Sequence, residues 1–157
     1  MREADQAWWA RQQRRKRKAG GGEPPKDTAS AGASARTEVR LGLVEDALRV
    51  AELLELRGIP RWVAFEERFI LAERGRRVVG VLRYRRDLGQ LHLGLLVTDP
   101  RFDEGPLVAR LYAGARTVAR ELGVREIRAR TQRHGVHLAR AGYREGRAGW
   151  RLDLEPR

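Results

Sequence analysis

The spacing of apolar residues changes character along the chain, and the clearest change falls between Leu91 and Leu122. Leu91, Leu93, Leu95, Leu96 and Val97 make a short apolar run suited to a buried strand. After the turn signal Asp99-Pro100, Leu107, Val108, Leu111, Tyr112, Ala115, Val118, Ala119 and Leu122 recur every three or four positions. That spacing puts them on one face and predicts a helix over Gly105–Leu122, stopped by Gly123. A strand that runs straight into a helix start makes a natural anion site, because the first N–H groups of the helix have no partner within it.

The flanking pattern supplies the other elements. Val39, Leu41 and Leu43 alternate with Glu38, Arg40 and Gly42, which predicts a strand. A helix follows over Glu45–Arg57, with Ala47, Leu48, Ala51 and Leu54 facing inward, ended by Gly58 and Pro60. Trp62, Val63 and Phe65 form an apolar patch before Glu66 and Glu67. Phe69–Ala72 and Val78–Tyr84 read as a hairpin with Gly75 at its tip, and Asp87-Leu88-Gly89 turns the chain into the central strand. Beyond the long helix come a strand at Glu126–Thr131, a short helix at Val136–Ala141 ended by Gly142, and a closing hairpin of Tyr143–Glu145 with Trp150–Leu154. The predicted order is β-α-β-β-β-α-β-α-β-β, an α/β class (an α+β mixed sheet) in a single domain spanning 37–157.

The first 36 residues follow no such pattern. Residues 1–18 form a basic segment of possible helical character, with Trp8 and Trp9 beside Arg11, Arg14, Arg15, Lys16, Arg17 and Lys18. Five consecutive positive charges repel one another and make a lone helix marginal. Such arginine-rich segments order on nucleic acid or on a partner, and the two Trp suit stacking or interface anchoring. Residues 19–36 are dominated by Gly, Pro, Ser and Ala and read as a linker.

The net charge of +12 over 157 residues changes the picture only in part, because both the tail and the folded portion are basic. The balance suits polyanion partners, although an arginine-rich proteome would produce the same excess. With no Cys there is neither a disulfide nor a thiolate metal site. No apolar run approaches the ~20 residues that span a bilayer, and the N-terminus lacks a signal core. The expected location is therefore the cytoplasm or an intracellular or virion assembly.

The Val97–Leu111 stretch resembles the acetyl-CoA-binding core of the GNAT N-acetyltransferase superfamily. Val97, Pro100, Leu107 and Leu111 fall in register with the family's Val, Pro, Ile and Leu. His137–Tyr143, HLARAGY, is similar to the family's L-Y-E-K-x-G-F. The resemblance covers about Thr37 to Leu154. It implies the GNAT fold, whose mixed sheet splays two central strands where CoA inserts, with Leu95, Val97, Gly105 and Leu107 as the cofactor-binding positions.

The functional letters of the family depart from this chain. Asp103 holds the basic or amide position, and Glu104, Pro106 and Val108 stand at the three glycine positions. Pro106 supplies no N–H. Asp103 or Glu104 is expected to cap the helix and occupy the donors that a phosphate would use. Leu138 aligns with the family's proton-donating Tyr, and Thr131 with a common Asn. His92 is the one titratable group within the central strand and a candidate base. His134 and His137, three apart and without further ligands, make a poor metal site.

The expected function is therefore a non-catalytic GNAT-like binding or structural protein with no cofactor. Its basic tail would anchor it to nucleic acid or to a large assembly such as a phage virion or the ribosome. The first alternative is a CoA-dependent N-acetyltransferase with an atypical cofactor loop, using acetyl-CoA. The second is a nucleic-acid-binding module that uses the C-terminal arginines, with Arg128 and Arg130 sharing a strand face.

Overall fold

The computed structural model describes residues 36–131 and 133–155. The tail and linker, with Trp8, Trp9 and the Arg11–Lys18 cluster, lie outside the described residues. Strand β1 (Thr37–Leu41) leads through a 3-10 turn (Val44–Asp46) into helix α1 (Ala47–Glu55). A short helix α2 (Val63–Glu66) precedes three antiparallel strands, β2 (Arg68–Arg74), β3 (Arg77–Asp87) and β4 (Gln90–Thr98). Helix α3 (Glu104–Glu121), β5 (Glu126–Ala129), α4 (Gly135–Arg140), β6 (Arg144–Gly146) and β7 (Gly149–Asp153) complete the domain.

All seven strands form one sheet in the order β1-β2-β3-β4-β5-β7-β6. Only β4 and β5 run parallel, as they must, because α3 is the crossover between them. Tight turns set the hairpin registers. Gly75 has φ +63°, and the β3–β4 turn places Leu88 at φ 43° and Gly89 at φ 78°.

Two layers of core sandwich the β1–β4 half of the sheet. Val50, Ala51, Leu53 and Leu54 of α1 pack with Phe69, Leu71, Val81 and Val97 on one face, joined by Leu95 at its margin. On the other face α3 crosses β1 to β5. Close approach there depends on two glycines. A Cβ on Gly80 would sit 3.2 Å from Leu111, and one on Gly114 would sit 2.3 Å from Val39. Seven of the eight residues placed on the inner face of α3 are buried, and Leu122 is half-buried at its end.

The expected helix over Glu45–Arg57 begins as a 3-10 turn, and Leu48, expected inward, is 60 % exposed. The phase of the buried face is instead set by Val50, Ala51, Leu53 and Leu54. Leu43 lies past the end of β1, where its N–H donates to the Asp46 carboxylate at 2.7 Å. Around Asp46, itself 1 % exposed, Arg40, Arg49 and Glu73 close a network of ion pairs that ties β1, β2 and α1 together. No helix among the described residues is long and apolar enough to cross a membrane.

Candidate functional site: the β4–β5 opening

The parallel pair β4–β5 is short. Gln90 to Leu93 pair with Glu126 to Ala129, and no pairing of these two strands continues beyond. β4 itself runs on to Thr98, paired with β3 on its other side, and Arg57 donates to the Thr98 carbonyl at 3.0 Å. Opposite the split, Leu82 pairs with Leu96 and Tyr84 with Leu93, so Arg83 faces both Gly94 and Leu95. Such a bulge bends a strand and raises its twist. Beyond it β4 carries no pairing to β5, and the unpaired edge from Gly94 to Val97 is one wall of the wedge between the two strand ends.

The wedge opens at the carboxyl ends of two parallel strands whose following helices lie side by side, a position where α/β sheets commonly hold ligands. The loop from β4 to α3 is fixed. Asp99, 1 % exposed, donates its N–H to the Val79 carbonyl at 2.8 Å. Its carboxylate accepts from the Arg101 backbone at 2.9 Å and from the Arg101 guanidinium at 2.9 and 2.7 Å. Those hydrogen bonds hold the Asp99 carboxyl below the ordinary carboxylate range.

Helix α3 starts at an Asp103 N-cap of extended conformation that makes no side-chain capping bond. The expected self-capping by Asp103 or Glu104 does not occur. With ψ at 120° the Asp103 backbone is cap-like, but its carboxylate is not turned onto the first turn. The Glu104 and Gly105 N–H groups, which precede the first intrahelical bond, are not taken by that side chain. Pro106 has no N–H to offer, so the helix start presents fewer donors than a glycine-rich loop would.

The start of α4 packs beside it. Tyr112 of α3 and His134 form a hydrogen bond of 3.2 Å between the phenol oxygen and Nδ1. His134 Nε2 lies 4.0 Å from a Glu104 carboxylate oxygen. Burial pushes the Tyr112 phenol up to about 12, so it is a neutral donor. Burial likewise lowers His134 below its ordinary value, against the opposing pull of Glu104. The consistent arrangement has the phenol donating to Nδ1 and Nε2–H facing Glu104. Tyr143, buried as expected of a packing residue, donates its hydroxyl to the Tyr112 carbonyl at 3.3 Å. The Tyr112–His134 contact was invisible to sequence reasoning; its one signal was a Tyr on the apolar face of α3.

Of the expected cofactor positions, Gly105 lies half-buried at the start of α3, and Leu95 and Val97 form the free edge of β4. The Leu95 and Val97 side chains, however, pack into the α1 core, so only their main chains face the opening. Leu107 is 4 % exposed and is a packing residue. Leu138, at the family's Tyr position, is wholly buried and carries no proton. β5 ends at Ala129, so Arg130 lies just past the strand, whereas Arg128 is within it and bonds Glu126 at 2.6 Å. No group of three or more His, Cys, Asp or Glu suited to a metal occurs among the described residues.

The sequence matches no family model and no curated protein. Solved structures do match. The GNAT N-acetyltransferase YhbS from Escherichia coli, in complex with CoA, superposes with a TM-score of 0.59 at 14 % identity, covering 78 % of this chain and 83 % of that one. A GNAT acetyltransferase from Brucella melitensis in complex with acetyl-CoA gives 0.57 at 14 % identity, over 78 % and 90 %. The GNAT domain of PAT from S. lividans gives 0.59 at 18 % identity, over 75 % and 90 %.

The chain has the GNAT fold. Within that fold, the β4–β5 wedge and the α3 start are the places where the residues of this chain can be tested against a CoA-like ligand. The strand edge fits, because main-chain groups from Gly94 to Val97 need no particular side chain. Gly105 fits as well: the nearest atom to a Cβ there would be His137 Cε1 at 3.9 Å. The phosphate end fits less fully, through Glu104 and Gly105 N–H alone, with the Glu104 carboxylate opposing.

Proposed function

We propose that the domain is a CoA-dependent N-acyltransferase with a reduced phosphate cradle. The observation that carries this reading is the early end of the β4–β5 pairing at Leu93 and Ala129, on the strand that leads through the Asp99 loop to an α3 start not capped by its own side chain. The CoA or acetyl-CoA bound in the structures of YhbS and of the Brucella enzyme supports it. The expectation of a non-catalytic, cofactor-free protein drew on the lost glycines of the phosphate loop, on Leu138 at the family's Tyr position, on the basic tail and on carboxylates filling the α3 donors; of these, the Asp103 side-chain cap is not made. Anchoring to nucleic acid or an assembly through Trp8–Lys18 stays a separate proposal about the tail.

A bound CoA thioester supplies the activated acyl group. The chain's own residues then have three tasks. The free β4 edge orients an extended amide-bearing arm by main-chain hydrogen bonds. The Glu104 and Gly105 N–H groups hold an anionic end. A base must take the proton of the attacking amine. On the sheet face away from α3, Glu67 is held by Arg83 and Arg85, and Glu126 by Arg128 and Arg151. His92, half-buried in β4, is the group assigned to accept that proton.

Titration with acetyl-CoA by calorimetry tests the reading. One-site saturable binding is expected, tightened in Pro106→Gly, which adds an N–H at the helix start. No binding by either protein would overturn it. His92→Ala is expected to lower kcat by about 100-fold while leaving acetyl-CoA affinity unchanged, as loss of a general base does; an unchanged kcat would remove His92 from the mechanism.

A further inference from the structure

The pairing registers place five residues in one line across five strands. Arg85 of β3 pairs with His92 of β4, His92 with Arg128 of β5, Arg128 with Arg151 of β7, and Arg151 with Arg144 of β6. Directly paired residues project from the same face of a sheet. This is the α1 face, since Val81, in the α1 core, alternates with Arg83 and Arg85 along β3. The line lies one residue before the split between β4 and β5, at the mouth of the wedge.

Helix α1 packs on β3 and β4 but reaches no further across this face, whereas α3 and α4 cover the other. Among the described residues, no helix covers the half of this face formed by β5, β7 and β6. Arg85 is 68 % exposed, Arg151 55 % and Arg128 43 %. A groove there is lined by Arg128, Arg144, Arg147 and Arg151 together with the carboxylates Glu145, Asp153 and Glu155. The carboxylates on this face are fewer than the cations. Glu126 is shared by Arg128 and Arg151, Arg151 also binds Asp153 at 2.9 Å, and Glu67 is shared by Arg83 and Arg85. Arg144, exposed at the sheet edge, has no carboxylate within ion-pair distance among the described residues.

We infer that this row selects the acceptor: the amine acylated at the opening carries a carboxylate or phosphate group that the arginines bind. Guanidinium forks suit those planar or tetrahedral anions, and the line leads from His92 outward, so an anion held on Arg128 and Arg151 sets an attached amine at the split. A cationic polyamine meets repulsion on the same path. The inference rests on the acyltransferase reading for its chemistry but not for the anion site itself.

Two experiments on the full chain separate them. Thiol release from acetyl-CoA is measured with amino dicarboxylates, with a phosphorylated amine such as O-phosphoethanolamine, and with spermidine. The anionic amines should be acylated and spermidine not. In Arg128→Gln/Arg151→Gln, KM for the anionic amine should rise about tenfold or more with kcat nearly unchanged, the pattern of lost uniform binding; in Arg144→Gln the rise should be smaller. Separately, titration with inorganic phosphate against KCl at matched ionic strength should shift the NMR signals of Arg85, His92, Arg128 and Arg151 with phosphate alone. Shifts at the row with no thiol release from any amine would keep the anion site and sink the acyltransferase reading. Equal shifts with both salts, or acylation of spermidine as readily as of the anionic amines, would overturn the proposal.

Discussion

Two arginine–carboxylate clusters lie on this sheet, and they differ in how far they are closed. At the β1–β2 end, Asp46 is buried and receives Arg40, Arg49 and the Leu43 N–H, while Glu73 accepts from both guanidiniums at 2.9 and 3.0 Å, and the Leu41 and Arg76 carbonyls accept further donors. Two carboxylates and two arginines satisfy one another there. In the row that crosses β3 to β6, arginines outnumber the carboxylates they share, and the side chains are largely open to water. The first cluster is part of the fold. The second has donors to spare for a ligand. Charge composition is the same in kind for both, so what distinguishes them is geometry and burial.

Breaking each cluster should separate these roles. The largest effect is expected for Asp46→Ala, which leaves Arg40 and Arg49 facing each other without the buried carboxylate. Removing one partner of a buried pair costs about 3 kcal/mol, so the urea midpoint should fall markedly. Arg128→Gln/Arg151→Gln should cost less than about 1 kcal/mol in the same assay, as exposed pairs do. Similar losses in the two variants would erase the distinction.

Acid supplies a finer test. Burial by itself would push the Asp46 and Glu73 carboxyls up, but the Arg40 hydrogen bonds lead the opposing interactions and hold both below their ordinary values of 3.8 and 4.5. The folded state therefore binds fewer protons than the unfolded one. The resulting stability is fully present above those ordinary values and is lost as pH falls through them and below. Denaturation followed from neutral pH to about pH 3 should show this loss in the native sequence and a smaller one in Asp46→Asn. Equal acid sensitivity in both would show that the network does not carry it.

Much of the fold was legible because it follows from local periodicity. The order of elements, the apolar face of α3 from Leu107 to Ala119 and the Gly75 turn are each written within a few neighbouring residues. Leu48 was misplaced because the 3-10 turn at Val44–Asp46 shifts the phase of α1, and that turn depends on Arg40 and Glu73, the latter far away in the chain. Likewise the composition of Asp103-Glu104 suggests a helix cap, but whether a carboxylate turns onto its helix depends on the conformation of the whole loop, and here the Asp103 side chain makes no such bond.

The sequence by itself determined the seven strands, the three longer helices and the basic character, since hydrophobic spacing and charge are properties of the chain read in order, whereas the short helix α2 at Val63–Glu66 showed there only as an apolar patch. Only the tertiary structure decided where β4 leaves β5, that Tyr112 meets His134, and that Arg85, His92, Arg128, Arg151 and Arg144 stand in one line. Each depends on strand register and helix packing between residues distant in the chain, and those are fixed by the collective fit of the core, not by the identity of any short segment.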